Sequence, residues 1–596
     1  MEGHLVRLCI DAASESRESI EIWRRQRRTL ERMPTQLADA LLRQLLRRRL
    51  VYPSLLEVFQ QCVEEIDLKG ESFVDAEWMA YLGSFRHLRA LNLADCRGIN
   101  NAAIWSITGM TTLKELDLSR CSKVTDAGIE HLLSIPSLKK LCIPESGLTA
   151  KGIMRLSTLS KLSFLDLGGL PVTDLALHSL QALTQMEYLD LWGSKISNKG
   201  AEILKMFPKL NFLNLAWTNV TKLSKLPSLT SLNMSNCTIQ YIFEGEDGVR
   251  APLSKLVISG ATFTDVHEAF SYMEASSLSV LDISNSTVQY FRFLEDMNRL
   301  EYLDVSCSRM EDDLLKSVAC VGWNLKDLNL SNTRISTLGV ATLAGKVPNL
   351  QTLCLSHTAV DDAALSYIGM MPSLRAINLR NTNIKGFTNQ GGHYQGRVLS
   401  LTALQNLDHL EWLDLEDTQI RDEVLHPLSA FGELNHLSLK SDFLSDISLH
   451  TVSSLPKLKS LGIRGAVLSN NGLLSLQPPS MLQMLDLREC WLLTEDAIST
   501  FCRSHPRIVV QHELVHLSSI CQNGGDGSSP SRGTSSASQT RLKKGKSSQA
   551  SCRFRRENFV DERIKYNREE LLRLQFSAVL APPHTGILRP QAPVKE

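Results

Sequence analysis

The sequence predicts an α/β fold, a solenoid of about eighteen stacked strand–turn–helix units with a parallel sheet on its concave side and a helical N-terminal cap. Three observations predict it. A frame of apolar positions, seen in LKELDLSRC at 113–121, returns along most of the chain. The returns fall about every 24 residues, and many frames are followed by residues that open a helix.

Side chains of a strand alternate, so Leu116 and Leu118 point to one side and Glu115, Asp117 and Ser119 to the other. One side is core and the other is free to bind. The middle apolar residue of each frame serves as a marker: Ile66, Leu91, Leu116, Leu141, Leu165, Leu189, Leu213, Leu232, Leu256, Leu281, Leu303, Leu328, Leu353, Ile377, Leu413, Leu437, Leu461 and Leu485. Chance does not hold such a register over more than four hundred residues.

After the strands, Thr125-Asp126, Thr173-Asp174, Ser197-Asn198, Ser445-Asp446 and Ser469-Asn470 offer oxygens to the first free N–H groups of a helix. Apolar residues at helical spacing follow, as at Ile129, Leu132 and Leu133. Strands stack about 4.8 Å apart and helices are about 10 Å across, so a horseshoe with its strands inside is expected.

With Cys96, Cys121, Cys237 and Cys490 at its closing position, the frame resembles the ribonuclease-inhibitor-like subclass of leucine-rich repeats. It is most similar to the cysteine-containing type of ubiquitin-ligase receptors. Thr333, Thr358, Thr382 and Thr418 take that position elsewhere, and any of these small polar groups can bond the turn backbone.

The 64 basic and 64 acidic residues cancel, which gives no support for nucleic-acid binding. Thirteen cysteines, odd in number and without paired spacing, read as reduced thiols. No secretory signal and no run of about 18 apolar residues is found, so the expectation is a cytoplasmic or nuclear protein with no membrane contact.

Residues 1–58 read as the cap, with Leu5, Cys9 and Ala13 at steps of four along one helix. A second helix opens near Pro34 and carries Leu37, Leu41, Leu42 and Leu45 opposite Arg43, Arg47, Arg48 and Arg49. Leu5 to Ala13 resembles the elongin-binding box, L-x-x-x-C followed by a small aliphatic residue four positions on. Together with the proline-led helix and the repeats it is similar to the Zyg-eleven-related cullin substrate receptors. Met33, Pro34, Leu37, Leu41, Leu42 and Leu45 also resemble the opening of an F-box. Either resemblance implies a substrate receptor of a cullin–RING ubiquitin ligase, with Leu5, Cys9, Ala13, Leu37 and Leu41 meeting a Skp-like or elongin-like adaptor. The other reading of the cap, a plain shield on a scaffold or regulator without a ligase link, stays open.

In the solenoid (59–516) most frames place Asp or Asn between the two strand leucines, an acidic inner wall that the repeat consensus itself accounts for. Phe164, Tyr188, Trp192, Phe212 and Trp217 break the habit on inward positions of three consecutive repeats. They read as a site for a protein substrate or regulator, or as lateral packing along the sheet. Arg380, Lys440, Arg464 and Arg488 predict a basic inner edge in the late repeats, and Arg464 and Arg488 are candidate contacts for acidic residues of a partner.

The interval from Leu213 to Leu232 is about five residues short, leaving room only for an extended or tight-turn link. That from Ile377 to Leu413 is about twelve long and includes the Gly-rich stretch with His393, Tyr394 and Arg397. Residues 517–556 have the composition of a disordered Gly/Ser/basic linker, and 557–596 read as a helix and a Pro-rich tail. His512-Glu513-Leu514-Val515-His516 matches H-E-x-x-H, which on a helix can hold zinc. With no third ligand and no cleft in view it reads as a structural flank, and neither a metal nor a cofactor is expected. Phosphate-loop, dinucleotide and triad signatures are absent, so the sequence predicts a protein that binds rather than reacts.

Overall fold

The computed structural model describes residues 2–25, 33–244, 251–389 and 397–514. They fall into two compact units, 1–360 with 370–374 and 361–369 with 375 onward. The linker and tail expected at 517–596 lie outside the described residues. Each unit is an α/β solenoid. Its parallel strands are joined mostly by α or 3-10 turns, thirteen strands in the first unit and six in the second.

The markers stand in line. In the first unit Ile66 pairs with Leu91, Leu91 with Leu116, and the series runs unbroken to Leu328 with Leu353. In the second, Ile377 pairs with Leu413 and the series continues to Leu461 with Leu485. Every marker is at most 3% exposed, so this single column is the spine of the core. One more strand, Val509–Gln511, pairs Val510 with Leu485.

The Asp/Asn column has a local cause. In thirteen repeats its Oδ1 accepts the backbone N–H two residues on, at 2.9–3.1 Å, which bends the chain out of the strand. Four residues after the marker the backbone is left-handed in all eighteen frames but the one with Ser441, with φ between 51° and 76°. The closing cysteines donate back to the previous repeat, Cys96 to the Leu68 carbonyl at 3.0 Å and Cys490 to that of Ile463 at 3.1 Å. The shorter Thr333 and Thr358 hydroxyls close their own turn on Leu330 and Leu355, at 2.5 and 2.6 Å.

On the helix side, neighbouring repeats are stitched by carboxylates. Asp126 accepts from the N–H and hydroxyl of Thr149 (2.8 and 2.5 Å), and Asp174 from those of Ser197 (2.8 and 2.6 Å). Glycine follows three residues after each capping residue because a Cβ on Gly152 or Gly200 would lie 2.2 or 2.3 Å from that carboxylate.

The cap comprises α1 (Glu2–Ala13), α2 (Arg17–Arg24) and α3 (Thr35–Arg47). Arg48 ties α1 down through the Asp11 and Ser14 carbonyls (3.1 and 2.9 Å) and the Asp11 carboxylate (3.1 Å). Trp23 donates to the Ala13 carbonyl at 2.9 Å and meets Phe59 edge-on. The short interval is filled by an extended link, Lys222–Ser224. The long one rises as an antiparallel pair, Phe387–Asn389 with Arg397–Leu399. Buried Asp362 pins its base by accepting from the N–H groups of Lys385 and Gly386 and from Ser400. His393 and Tyr394 lie outside the described residues.

Candidate functional site

The open face of the first unit's sheet is set by strands β1 (Glu65–Asp67), β2 (Ala90–Asn92), β3 (Glu115–Asp117), β4 (Lys140–Cys142), β5 (Phe164–Asp166), β6 (Tyr188–Asp190) and β7 (Phe212–Asn214). The register puts Phe164, Tyr188 and Phe212 side by side. Strand spacing is close to the stacking distance of rings, and the three lie flat on one another, with centroids 3.8 and 4.1 Å apart and planes within 6°. The Lys140 ammonium caps the ladder 4.9 Å from the Phe164 centroid. All three rings are half-buried.

The two tryptophans of the expected cluster behave differently. Trp192 is 39% and Trp217 61% exposed. Trp192 stands in a column that otherwise holds small residues from β3 to β7: Ser119, Pro144, Gly168 and Ala216. Its ring lies over Gly168 and Gly169, where an added Cβ would come within 3.6 and 3.0 Å of it. Trp217 occupies the left-handed position, with φ 60°. A bulky side chain is costly there, and an exposed one gains no core burial in return.

Between the ladder and Trp192 run two carboxylates. Asp166 and Asp190 are direct cross-strand partners. Asp166 Oδ1 accepts the Gly168 N–H at 3.0 Å. Asp190 accepts the Trp192 N–H and the Asn214 amide, both at 2.9 Å. Burial, aided by the neighbouring charges of Asp190 and Asp117, pushes the Asp166 carboxyl up to about 6. Burial also raises Asp190, and it pushes the neighbouring Cys142 thiol up to about 12 and the Tyr188 hydroxyl well above its usual range. A groove of about 310 Å³ continues the face over β1 to β4, lined by Glu65, Asp67, Glu115 and Asp117 with Arg43 and Lys140 among them.

In the second unit the expected free basic edge does not hold. Arg380 pairs with Glu416 and Asp417 (3.0 and 2.8 Å), Lys440 with Asp417 and Glu489 (3.3 and 3.1 Å), Arg464 with Glu416 and Glu489 (3.1 and 3.0 Å), and Arg488 with Asp486 (2.5 Å). The cause is the register: strands about 4.8 Å apart bring long side chains from adjacent and next-adjacent repeats into reach of one another. Arg464 and Arg488 are therefore committed within the chain.

At the cap, Cys9 is exposed, Ala13 and Leu37 are half-buried, and the Leu5 side chain lies outside the described residues. Leu41 is only 5% exposed, so its expected adaptor contact is corrected: with Leu42 and Leu45 it faces the core beneath the cap. His512 and Glu513 follow the last strand in a turn, not on a helix. Glu513 accepts the Glu489 N–H at 2.9 Å, and His512 Nε2 lies 3.4 Å from the Cys490 carbonyl. His516 lies outside the described residues.

A family model described as Leucine Rich repeat matches residues 109–133, the repeat that carries β3. The one matched repeat is of the leucine-rich kind. No curated protein sequence matches the chain. Solved structures similar to it include a leucine-rich-repeat protein of Leptospira interrogans, at 18% identity and TM-score 0.46, covering 66% of this chain and 94% of that one. The mouse RP105/MD-1 complex is similar at 17% identity and TM-score 0.44, covering 76% of this chain and 88% of that one. An internalin of Listeria monocytogenes is similar at 18% identity and TM-score 0.36, covering 65% and 88%.

Sequence reasoning named the five aromatics but missed Asp166 and Asp190, which the frame hides as two more consensus acids. The available signal was Gly168-Gly169, a pair of side-chain-free residues one repeat before Trp192.

Proposed function

We propose that this chain is a binding protein that holds a protein partner on the open face of its first unit, at the Phe164, Tyr188 and Phe212 ladder and the two tryptophans beside it. The observation that carries the reading is Trp192, a large exposed ring in a column of small residues, with Trp217 exposed one repeat on. Exposed aromatics on a rigid sheet lose little conformational freedom on binding and are typical anchors of interfaces. Affinity capture with the full chain tests it: Trp192→Ala with Trp217→Ala should lose the captured partner while circular dichroism is unchanged. A partner retained by the double variant would remove the reading.

The finer role is a cytoplasmic or nuclear substrate receptor of a cullin–RING ubiquitin ligase. It is supported by the resemblance of Leu5 to Ala13 to an elongin-binding box and by the exposure of Leu8 (52%) and Cys9 on α1. An adaptor groove takes an amphipathic helix through side chains one turn apart. Leu5→Ser with Cys9→Ser should then abolish co-purification of an elongin-like or Skp-like adaptor without lowering the melting temperature. An intact chain that captures neither adaptor nor cullin would leave a scaffold without a ligase link.

A further inference from the structure

The docking reading leaves the chemistry of the occupant open, and the charges of the face supply it. Resting on that reading, we infer that the occupant is an extended polypeptide segment bearing two arginines, one seated on Asp166 and Asp190 between the aromatic ladder and Trp192, the other on Asp117.

Asp166 and Asp190 form the one stretch of the Asp/Asn column in β1 to β7 where two carboxylates are direct neighbours. Among the described residues neither pairs with a lysine or arginine, and no cation offsets the burial that raises both. Lys140, the nearest cation along the ladder, sits over the Phe164 ring and 3.8 Å from Glu115. The other titratable groups facing the pair are Asp117, Cys142 and Tyr188, none of which brings positive charge. The second unit shows the contrast: there Asp486, in the equivalent column, has Arg488 and Arg464 beside it.

A guanidinium fits this slot better than an ammonium does. Its plane stacks on aromatic faces while its edge donates in parallel to a carboxylate. Asp166 Oδ1 is engaged by Gly168, and among the described residues Oδ2 accepts no hydrogen bond, leaving it for such a donor. A phosphate-bearing or acidic ligand would meet repulsion along the whole row, because the adjoining groove sets four carboxylates against Arg43 and Lys140. A polypeptide fits the row's length. The middle of the Asp166 and Asp190 pair is two and a half strand spacings from Asp117, about 12 Å, and an extended chain advances about 3.3 Å per residue with alternate side chains on one face, so the two arginines fall four positions apart.

Fluorescence anisotropy on the full-length protein tests this with a labelled Gly/Ser peptide carrying two arginines four positions apart, and with its citrulline isostere, which keeps the shape and removes the charge. The arginine peptide should bind, and the citrulline peptide about tenfold or more weaker. Asp166→Asn, Asp190→Asn and Trp192→Ala should each weaken the arginine peptide by about tenfold, whereas Asp282→Asn, in the same column outside the patch, should leave it unchanged. Asparagine keeps the turn's Oδ1 acceptor, as Asn92 and Asn214 do, so the fold survives the change. Equal binding of the two peptides, no binding of the arginine peptide at about 1 mM, or an equal loss in Asp282→Asn would overturn the inference. If the arginine peptide fails while partner capture still depends on Trp192 and Trp217, only the cationic occupant falls. If capture depends on neither tryptophan, the docking site falls with it.

Discussion

Asp166→Asn should make the protein more stable at neutral pH while weakening its binding, a pairing that a purely structural carboxylate would not show. The Asp166 carboxyl rises from an ordinary 3.8 to about 6 in the fold. The folded state therefore takes up this proton more readily than the unfolded chain, and stability falls as pH rises through that window. The cost is fully present above about pH 6 and is relieved toward pH 4. At about 1.4 kcal/mol per pH unit the rise amounts to roughly 3 kcal/mol, and partial contact of the side chain with water reduces it to about 1–2 kcal/mol. Asparagine removes the charge and keeps the bond to the Gly168 N–H. Urea unfolding followed by tryptophan fluorescence should place the variant's midpoint above that of the wild type at pH 7.5, with the two converging below about pH 4. A variant less stable than the wild type at pH 7.5, or a difference that does not change with pH, would refute the argument.

Other consequences are measurable independently. Trp192→Ala and Trp217→Ala should each cost about 2 kcal/mol or more of partner affinity with little change in melting temperature, read by calorimetry of the captured complex. Gly169→Ala forces a Cβ to 3.0 Å from the Trp192 ring at φ 70°, so a loss of about 1–2 kcal/mol and a shifted tryptophan emission are expected. Glu416→Gln leaves Arg464 and Arg380 without their shared carboxylate in a site where Glu416 is 7% exposed, which should cost about 2–4 kcal/mol in urea unfolding.

The fold was legible because each repeat restates it. A marker such as Leu116 is read once from its own alternation and again from Leu91 and Leu141 at the same phase, and these are the residues that pair in the sheet. The strand at Val509–Gln511 escaped because Val510 is followed by Gln511 and His512 rather than by a second leucine. The site was legible only where it broke the repeat. Trp192 and Trp217 stand out against the frame, whereas Asp166 and Asp190 repeat a residue that the turn requires for its own reasons. Charge pairing was not legible at all. Arg464 meets Glu416 across 48 residues and Glu489 across 25, and no local pattern records which acid a given arginine reaches.

The same column carries different tasks in the two units, and the position three residues after the marker shows how. In β3 to β7 it holds Ser119, Pro144, Gly168, Trp192 and Ala216, so the carboxylates beside it meet water and any ligand. In the strands Trp412–Glu416, His436–Lys440 and Ser460–Arg464 it holds Glu416, Lys440 and Arg464, which close over the face as a network of mutual ion pairs. Arg464 retains 18% and Glu416 9% of their side-chain exposure, and charges so far removed from water are held by each other rather than offered to a partner. An arginine arriving from outside would have to displace one already seated there, whereas at Asp166 and Asp190 it would relieve an uncompensated burial cost. The free energy that makes those two carboxylates unfavourable in the isolated chain is returned on binding a cation, and this favours the first unit's face as the one that recognises a partner.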